Sequence, residues 1–107
     1  FDLKLRFFYE LDRDLNRPLV LWGAGRNGKD MAKLIQSYND TFHWVCDNDR
    51  KIGKDIYGKI LISDKEIFTR ENPQILIAIR NEKATEQIKK VFDSKNLAPN
   101  LDYFLLS

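Results

Sequence analysis

The 107-residue sequence holds one cysteine, one histidine, one methionine and three prolines. A single thiol, Cys46, excludes an internal disulfide and any thiolate metal cluster. No apolar run approaches the ~18 residues of a membrane span, and no secretory leader is visible. Neither sign of charge is in excess, since 18 Lys and Arg face 16 Asp and Glu for a formal net charge of +2. That balance gives no whole-domain argument for nucleic acid or a polyacidic partner. Internal repeats and low-complexity stretches are also missing. What is present is ordinary: 43% hydrophobic and 12% aromatic residues, enough for one core, in a length that leaves no room for two domains. The expectation is a soluble, cytoplasmic domain that does not insert into a membrane. Phe1 in place of an initiating Met is what a piece cut from a longer parent chain would show.

Several catalytic signatures are absent as well. No Ser-His-Asp set or paired carboxylates stand out. Tyr9, Tyr38, Tyr57 and Tyr103 are followed four positions on by Arg13, Phe42, Leu61 and Ser107, so no Tyr-x-x-x-Lys dyad exists. Gly28 is followed by Lys29-Asp30, which excludes a G-x-x-x-x-G-K-[ST] loop and the ATPases and kinases built on it. No catalytic residue is assigned, and catalysis by this chain alone is not expected.

The organisation comes from short apolar runs that do not alternate. Leu19–Trp22 follows Pro18, Phe42–Cys46 follows a polar turn, and Ile75–Ile79 follows Asn72-Pro73. Such runs suit strands buried on both faces, as in a parallel sheet. Helical stripes lie between them: Met31, Leu34, Ile35 and Tyr38 after Gly28, then Ala84, Ile88, Val91 and Phe92. Leu101–Leu106 reads as a last strand. Residues 56–62 read as a hairpin or a short edge strand, and Ser63-Asp64-Lys65-Glu66 as a capping box opening a short helix. The first 17 residues read as a helix or interdomain connector with Leu5, Phe8, Leu11 and Leu15 on one stripe and Leu3 and Phe7 off it. It either caps the sheet irregularly or packs against a preceding domain. Residues 18–107 then form one α/β domain: three layers, Rossmann-like, around a mostly parallel sheet of four or five strands.

The sharpest motif is Gly23-Ala24-Gly25-Arg26-Asn27-Gly28, a G-x-G-x-x-G that leaves a buried strand and enters an amphipathic helix. In such a loop Gly23 allows a sharp turn, Gly25 leaves room for a diphosphate, and Gly28 brings the helix close to the sheet. The first-turn N–H groups then face an anion. Arg26 either adds charge to a phosphate or folds into solvent. The alternative is a tight strand-to-helix turn with no ligand. Asp47, 24 residues after Gly23 at the end of the second strand, has the spacing of a carboxylate that binds a ribose diol and repels a 2′-phosphate. It also fits a solvated Asp-Asn-Asp turn, as do Asn48 and Asp49. An Asp-x-Asp metal site lacks further ligands, so no metal is assigned. Arg80 and Asn81 follow the third run and would border the same crevice. His43 and Cys46 read as structural, and Tyr57-Gly58 as a turn.

Taken together, the stretches 19–29, 44–54, 56–58 and 73–79 resemble the small Rossmann-like domain at the C-terminus of some bacterial family 2 glycosyltransferases. They are also similar to the nucleotide-sugar-binding head of sugar O-acyltransferases and to C-terminal domains of sugar C-methyltransferases. The resemblance covers nearly everything after residue 17. It implies a parent chain that transfers sugar in surface-polysaccharide assembly, whose catalytic domain would be the partner of this one. It carries Gly23, Gly25, Gly28 and Asp47 over as nucleotide-binding positions. The ligand would be a nucleotide or nucleotide-sugar. The other readings are a nicotinamide-binding (NAD) domain of an oxidoreductase or epimerase, and a module that binds no small molecule and docks the parent's domains or a homodimer.

Overall fold

The computed structural model describes residues 2–106. Its centre is a five-stranded, all-parallel sheet built from β1 (Leu19–Trp22), β2 (His43–Cys46), β5 (Ile62–Ser63), β6 (Gln74–Ile77) and β7 (Tyr103–Leu105). The spatial order is β5-β2-β1-β6-β7. Counting only the parallel strands, that is third, second, first, fourth, fifth, the doubly wound order, with the reversal between β1 and β6. The fold is therefore the α/β Rossmann-like one expected, with the sheet at five strands.

The unalternated strands follow from burial on both faces. Leu19 and Leu21 of β1 join one cluster with Leu5, Phe8, Met31, Ala32 and Ile35, beneath α2 (Arg26–Ser37) and the N-terminal helix. Val20 and Trp22 join the other with Ile67, Ile88 and Phe92, beneath α3 (Glu82–Ser94). Three layers result.

The boundaries differ from expectation in places. α2 opens at Arg26, inside the glycine motif, because Gly25 takes the extended N-cap conformation and the Lys29 N–H closes the first turn on the Gly25 carbonyl. β6 stops at Ile77, two residues short of the apolar run. The segment 56–62 holds both of the expected alternatives. β3 (Asp55–Ile56) and β4 (Lys59–Ile60) form a hairpin, and β5 follows at once as an edge strand. Tyr57 and Gly58 both have positive φ, 54° and 79°, which is the two-residue turn matching the twist of a hairpin. Ser63 caps the next helix through Lys65 N–H, 3.2 Å, though this helix (Asp64–Thr69) is 3-10.

The N-terminal stripe is a correction. Leu5 and Phe8 are buried, but Leu11 is exposed. The helix α1 (Asp2–Phe7) passes into a π-helical turn at Phe8–Asp12, which shifts the phase of the side chains, and Arg13 then leaves in extended conformation. Leu15 lies beyond the helix and is exposed too. The segment is tied to the sheet by polar contacts. Arg13 pairs with Asp40 at 2.7 Å with both side chains nearly buried, and Tyr9 donates its hydroxyl to the same carboxylate at 2.8 Å. Buried Gln74 accepts from Arg13 Nη1 and Asp14 N–H and donates to the Asp12 carbonyl. Burial alone would raise the Asp40 pKa, but the Arg13 and Tyr9 hydrogen bonds and the Arg13 charge outweigh it and hold it below the ordinary carboxylate value.

Candidate functional site

Beyond the carboxyl ends of β1, β2 and β6 the loops diverge and leave a crevice of about 810 Å3, at the point where the strand order reverses. Its wall contains Gly23, Ala24, Gly25, Arg26 and Asn27 from the first loop, Asp47 from the second and Arg80 and Asn81 from the third. Eight of the nine residues that the sequence pointed to for this loop and crevice thus meet in one place. Gly28 is buried behind them.

The three motif glycines differ in what holds them. Gly23 has φ +124°, and a Cβ there would stand 2.7 Å from the Ala78 carbonyl oxygen. At Gly28 a Cβ would overlap the Gly23 carbonyl, with its carbon at 2.5 Å, so strand and helix touch backbone to backbone. Both are required by the fold. Gly25 is different: its φ is −80°, and an added Cβ would meet nothing within 4 Å. Packing and backbone geometry leave Gly25 open.

The loop is fixed from behind. Trp44 Nε1 donates to the Gly23 carbonyl at 2.6 Å in the buried interior, and Gly23 N–H donates to the Val45 carbonyl at 3.0 Å. The tip carries an unmatched dipole, because no side chain caps the N-terminus of α2. The neighbouring N-terminus of α3 is closed: Asn81 Oδ1 accepts from Ala84 N–H at 3.1 Å.

Lys51 was not singled out from the sequence. Its ammonium crosses from the loop after β2 and donates to the Ala24 carbonyl at 2.8 Å, clasping the glycine loop. With exposed Arg26 and Arg80 it gives three cations around the crevice, against the carboxylates of Asp30 and Asp47. Nothing in the local sequence marks Lys51. It arrives because the turn at Asn48 reverses the chain, its carbonyl accepting from Lys51 N–H at 2.9 Å and Ile52 N–H at 3.1 Å, while Asn48 Oδ1 accepts from Arg50 N–H. Asn48 thus forms a turn, as expected, and Asp47 stands exposed on the crevice wall. Trp22 lines the inner wall with its indole N–H buried and without a partner, a donor unsatisfied at a usual cost of ~1–3 kcal/mol. Cys46 is a free, buried thiol. Among the described residues, no cluster of three or more His, Cys, Asp or Glu is placed to hold a metal ion, and no helix is long and apolar enough to cross a membrane.

Comparison with models of known protein families and with curated protein sequences finds no match for this chain.

Proposed function

We propose that the crevice binds a nucleotide or nucleotide-sugar, and that the chain is an accessory domain of a bacterial glycosyltransferase of surface-polysaccharide assembly. The observation that carries the ligand reading is Gly25. Of the three motif glycines it alone has neither a steric nor a conformational reason to lack a side chain, and it stands at an uncapped helix N-terminus on the wall of a ligand-sized crevice. A diphosphate would lie on the N–H groups at 25–28 with Arg26, Lys51 and Arg80 around it, and Asp47 would take the ribose hydroxyls. NAD would use the same groups, with Asp47 disfavouring a 2′-phosphate. The assignment to a sugar transferase rests on the resemblance alone.

A thermal-shift screen against UDP-, GDP- and dTDP-sugars, NAD, NADP, CoA and S-adenosylmethionine separates these readings. A ligand at ~100 times its dissociation constant adds about 2.7 kcal/mol and raises the midpoint by on the order of ten degrees in a domain of this size. Gly25→Val is expected to abolish that shift while leaving the unliganded midpoint within a few degrees. Retained affinity in this variant would sink the assigned site.

A second reading has its own observation. Leu3 and Phe7 are 59% and 49% exposed on the N-terminal helix, an apolar face suited to docking another domain or a second copy. Under it no nucleotide shifts the midpoint, and Leu3→Glu with Phe7→Glu changes the oligomeric state.

A further inference from the structure

At the opposite end of β2 from the glycine loop, the sheet edge is incomplete. β5 pairs only with Val45 and Cys46, so the start of β2 has no strand hydrogen-bonded to it on that side, and the β3-β4 hairpin packs there without joining the sheet. The gap is a second cavity of about 260 Å3, with Phe42, Trp44, Ile60 and Ile62 as apolar walls. Three basic side chains line it, His43, Lys59 and Arg70, and no Asp or Glu does.

Arg70 differs from the other partly buried arginines. Arg13 and Arg17, also partly buried, are each matched to a carboxylate, Asp40 at 2.7 Å and Asp102 at 2.8 Å. Among the described residues neither Lys59 nor Arg70 makes an ion pair. The Arg70 guanidinium is held from one side, Nη1 donating to the Glu66 carbonyl at 2.8 Å and to Thr69 Oγ1 at 3.3 Å. Its Nε–H is buried with no acceptor. The Lys59 ammonium lies over the Phe42 ring, 5.1 Å from its centre. A fixed, partly buried guanidinium beside an ammonium, with no carboxylate paired to either, is a costly arrangement that an anion relieves.

We propose that this cleft is a second ligand site, independent of the glycine-loop crevice, which takes a small oxyanion, a phosphate or carboxylate group, between Arg70, Lys59 and His43. The apolar walls suit an anion carried on a ring or hydrocarbon body.

His43 reports on it. Partial burial first, then the charges of Arg70 and Lys59, pull its pKa below the ordinary value; β1 and β5 offer no titratable side chain, and the 3-10 helix packed against β2 carries Asp64, Lys65 and Glu66, none of them lining the cleft. A bound oxyanion offsets those charges and pushes the pKa back up. Because His43 is the only histidine, its imidazole signal in the proton NMR spectrum is assigned without ambiguity. The test titrates His43 in the 107-residue chain with sodium chloride, inorganic phosphate or benzoate at matched ionic strength. Saturating phosphate or benzoate is expected to raise the pKa by on the order of one unit over chloride. A response to phosphate names a phosphoryl ligand, one to benzoate a carboxylate, and either supports the site. Lys59→Gln and Arg70→Gln, on separate elements, are each expected to weaken the response at least fivefold. The amide signals of residues 23–28 stay in place. A His43 pKa that moves no further in phosphate and benzoate than in chloride overturns the proposal, as does an undiminished response in both variants.

Discussion

Replacing Gly28 by alanine tests the reading of the glycine loop at its most quantitative point. The new Cβ would overlap the Gly23 carbonyl oxygen and lie 2.5 Å from its carbon, where an ordinary contact is 3.4 Å or more. The obstacle is backbone, so no side chain can swing aside. Relief requires α2 to part from the end of β1 by about 1 Å. That displacement would loosen Met31, Ala32 and Ile35 from the core and strain the Trp44 hydrogen bond to the same carbonyl. Overpacking of this kind costs about 1–3 kcal/mol, and the rigid partner puts Gly28→Ala at or above the upper end. About 3 kcal/mol lowers the midpoint by roughly 12 °C or more. Gly25→Ala is the internal control. Its φ of −80° suits alanine and its Cβ meets nothing, so the gain of ~0.4–1 kcal/mol from a stiffer unfolded chain roughly cancels the poorer N-cap. Urea unfolding followed by tryptophan fluorescence measures both. If Gly28→Ala is as stable as Gly25→Ala to within 0.5 kcal/mol, the backbone contact between helix and strand is not as described, and the argument separating the three glycines falls with it.

Other consequences are open to the same assays. Trp44→Phe and Trp22→Phe remove similar volume, but only the first leaves a buried carbonyl without its donor, whereas the second deletes a donor that has no partner. Trp44→Phe should therefore be the more destabilising by about 1–3 kcal/mol, and equal losses would contradict the bonding assignment. The depressed Asp40 pKa contributes stability that is fully present above the unfolded value near 3.8 and is lost as pH falls through the lower folded value. Arg13→Ala, which leaves only the Tyr9 hydrogen bond on Asp40, should shrink this acid-range loss and cost about 3 kcal/mol at neutral pH by stranding a buried carboxylate, as denaturation from pH 2 to 7 would reveal. Gly58→Ala meets no atoms but sits at φ +79°, so it is expected to cost about 1 kcal/mol where Gly25→Ala costs almost nothing.

Much of this was legible in the residues because the signals were local. A strand buried on both faces must be apolar throughout, so the runs at 19–22 and 75–77 declared a parallel sheet before any contact was known. Tyr57-Gly58 declared its turn because the second position of the hairpin loop needs a positive φ that glycine adopts freely. The glycine motif placed the loop, its helix and the crevice residues Asp47 and Arg80, since strand ends in a parallel sheet all open on one side. The N-terminal stripe was misread because a helical wheel assumes 3.6 residues per turn, and one π turn at Phe8–Asp12 carried Leu11 into solvent.

What the tertiary structure alone decided are relations between distant segments. Sequence spacing could say that three glycines were present, but only the approach of α2 to β1 shows that Gly23 and Gly28 serve packing while Gly25 is left free. Lys51 on the Ala24 carbonyl, Trp44 on the Gly23 carbonyl and Arg13 on Asp40 each join residues more than twenty positions apart. Periodicity and composition carry information about a residue's own backbone and its exposure. Which charge ends beside which carbonyl is set by how strands order themselves in a sheet, a choice made by the packing of the whole chain.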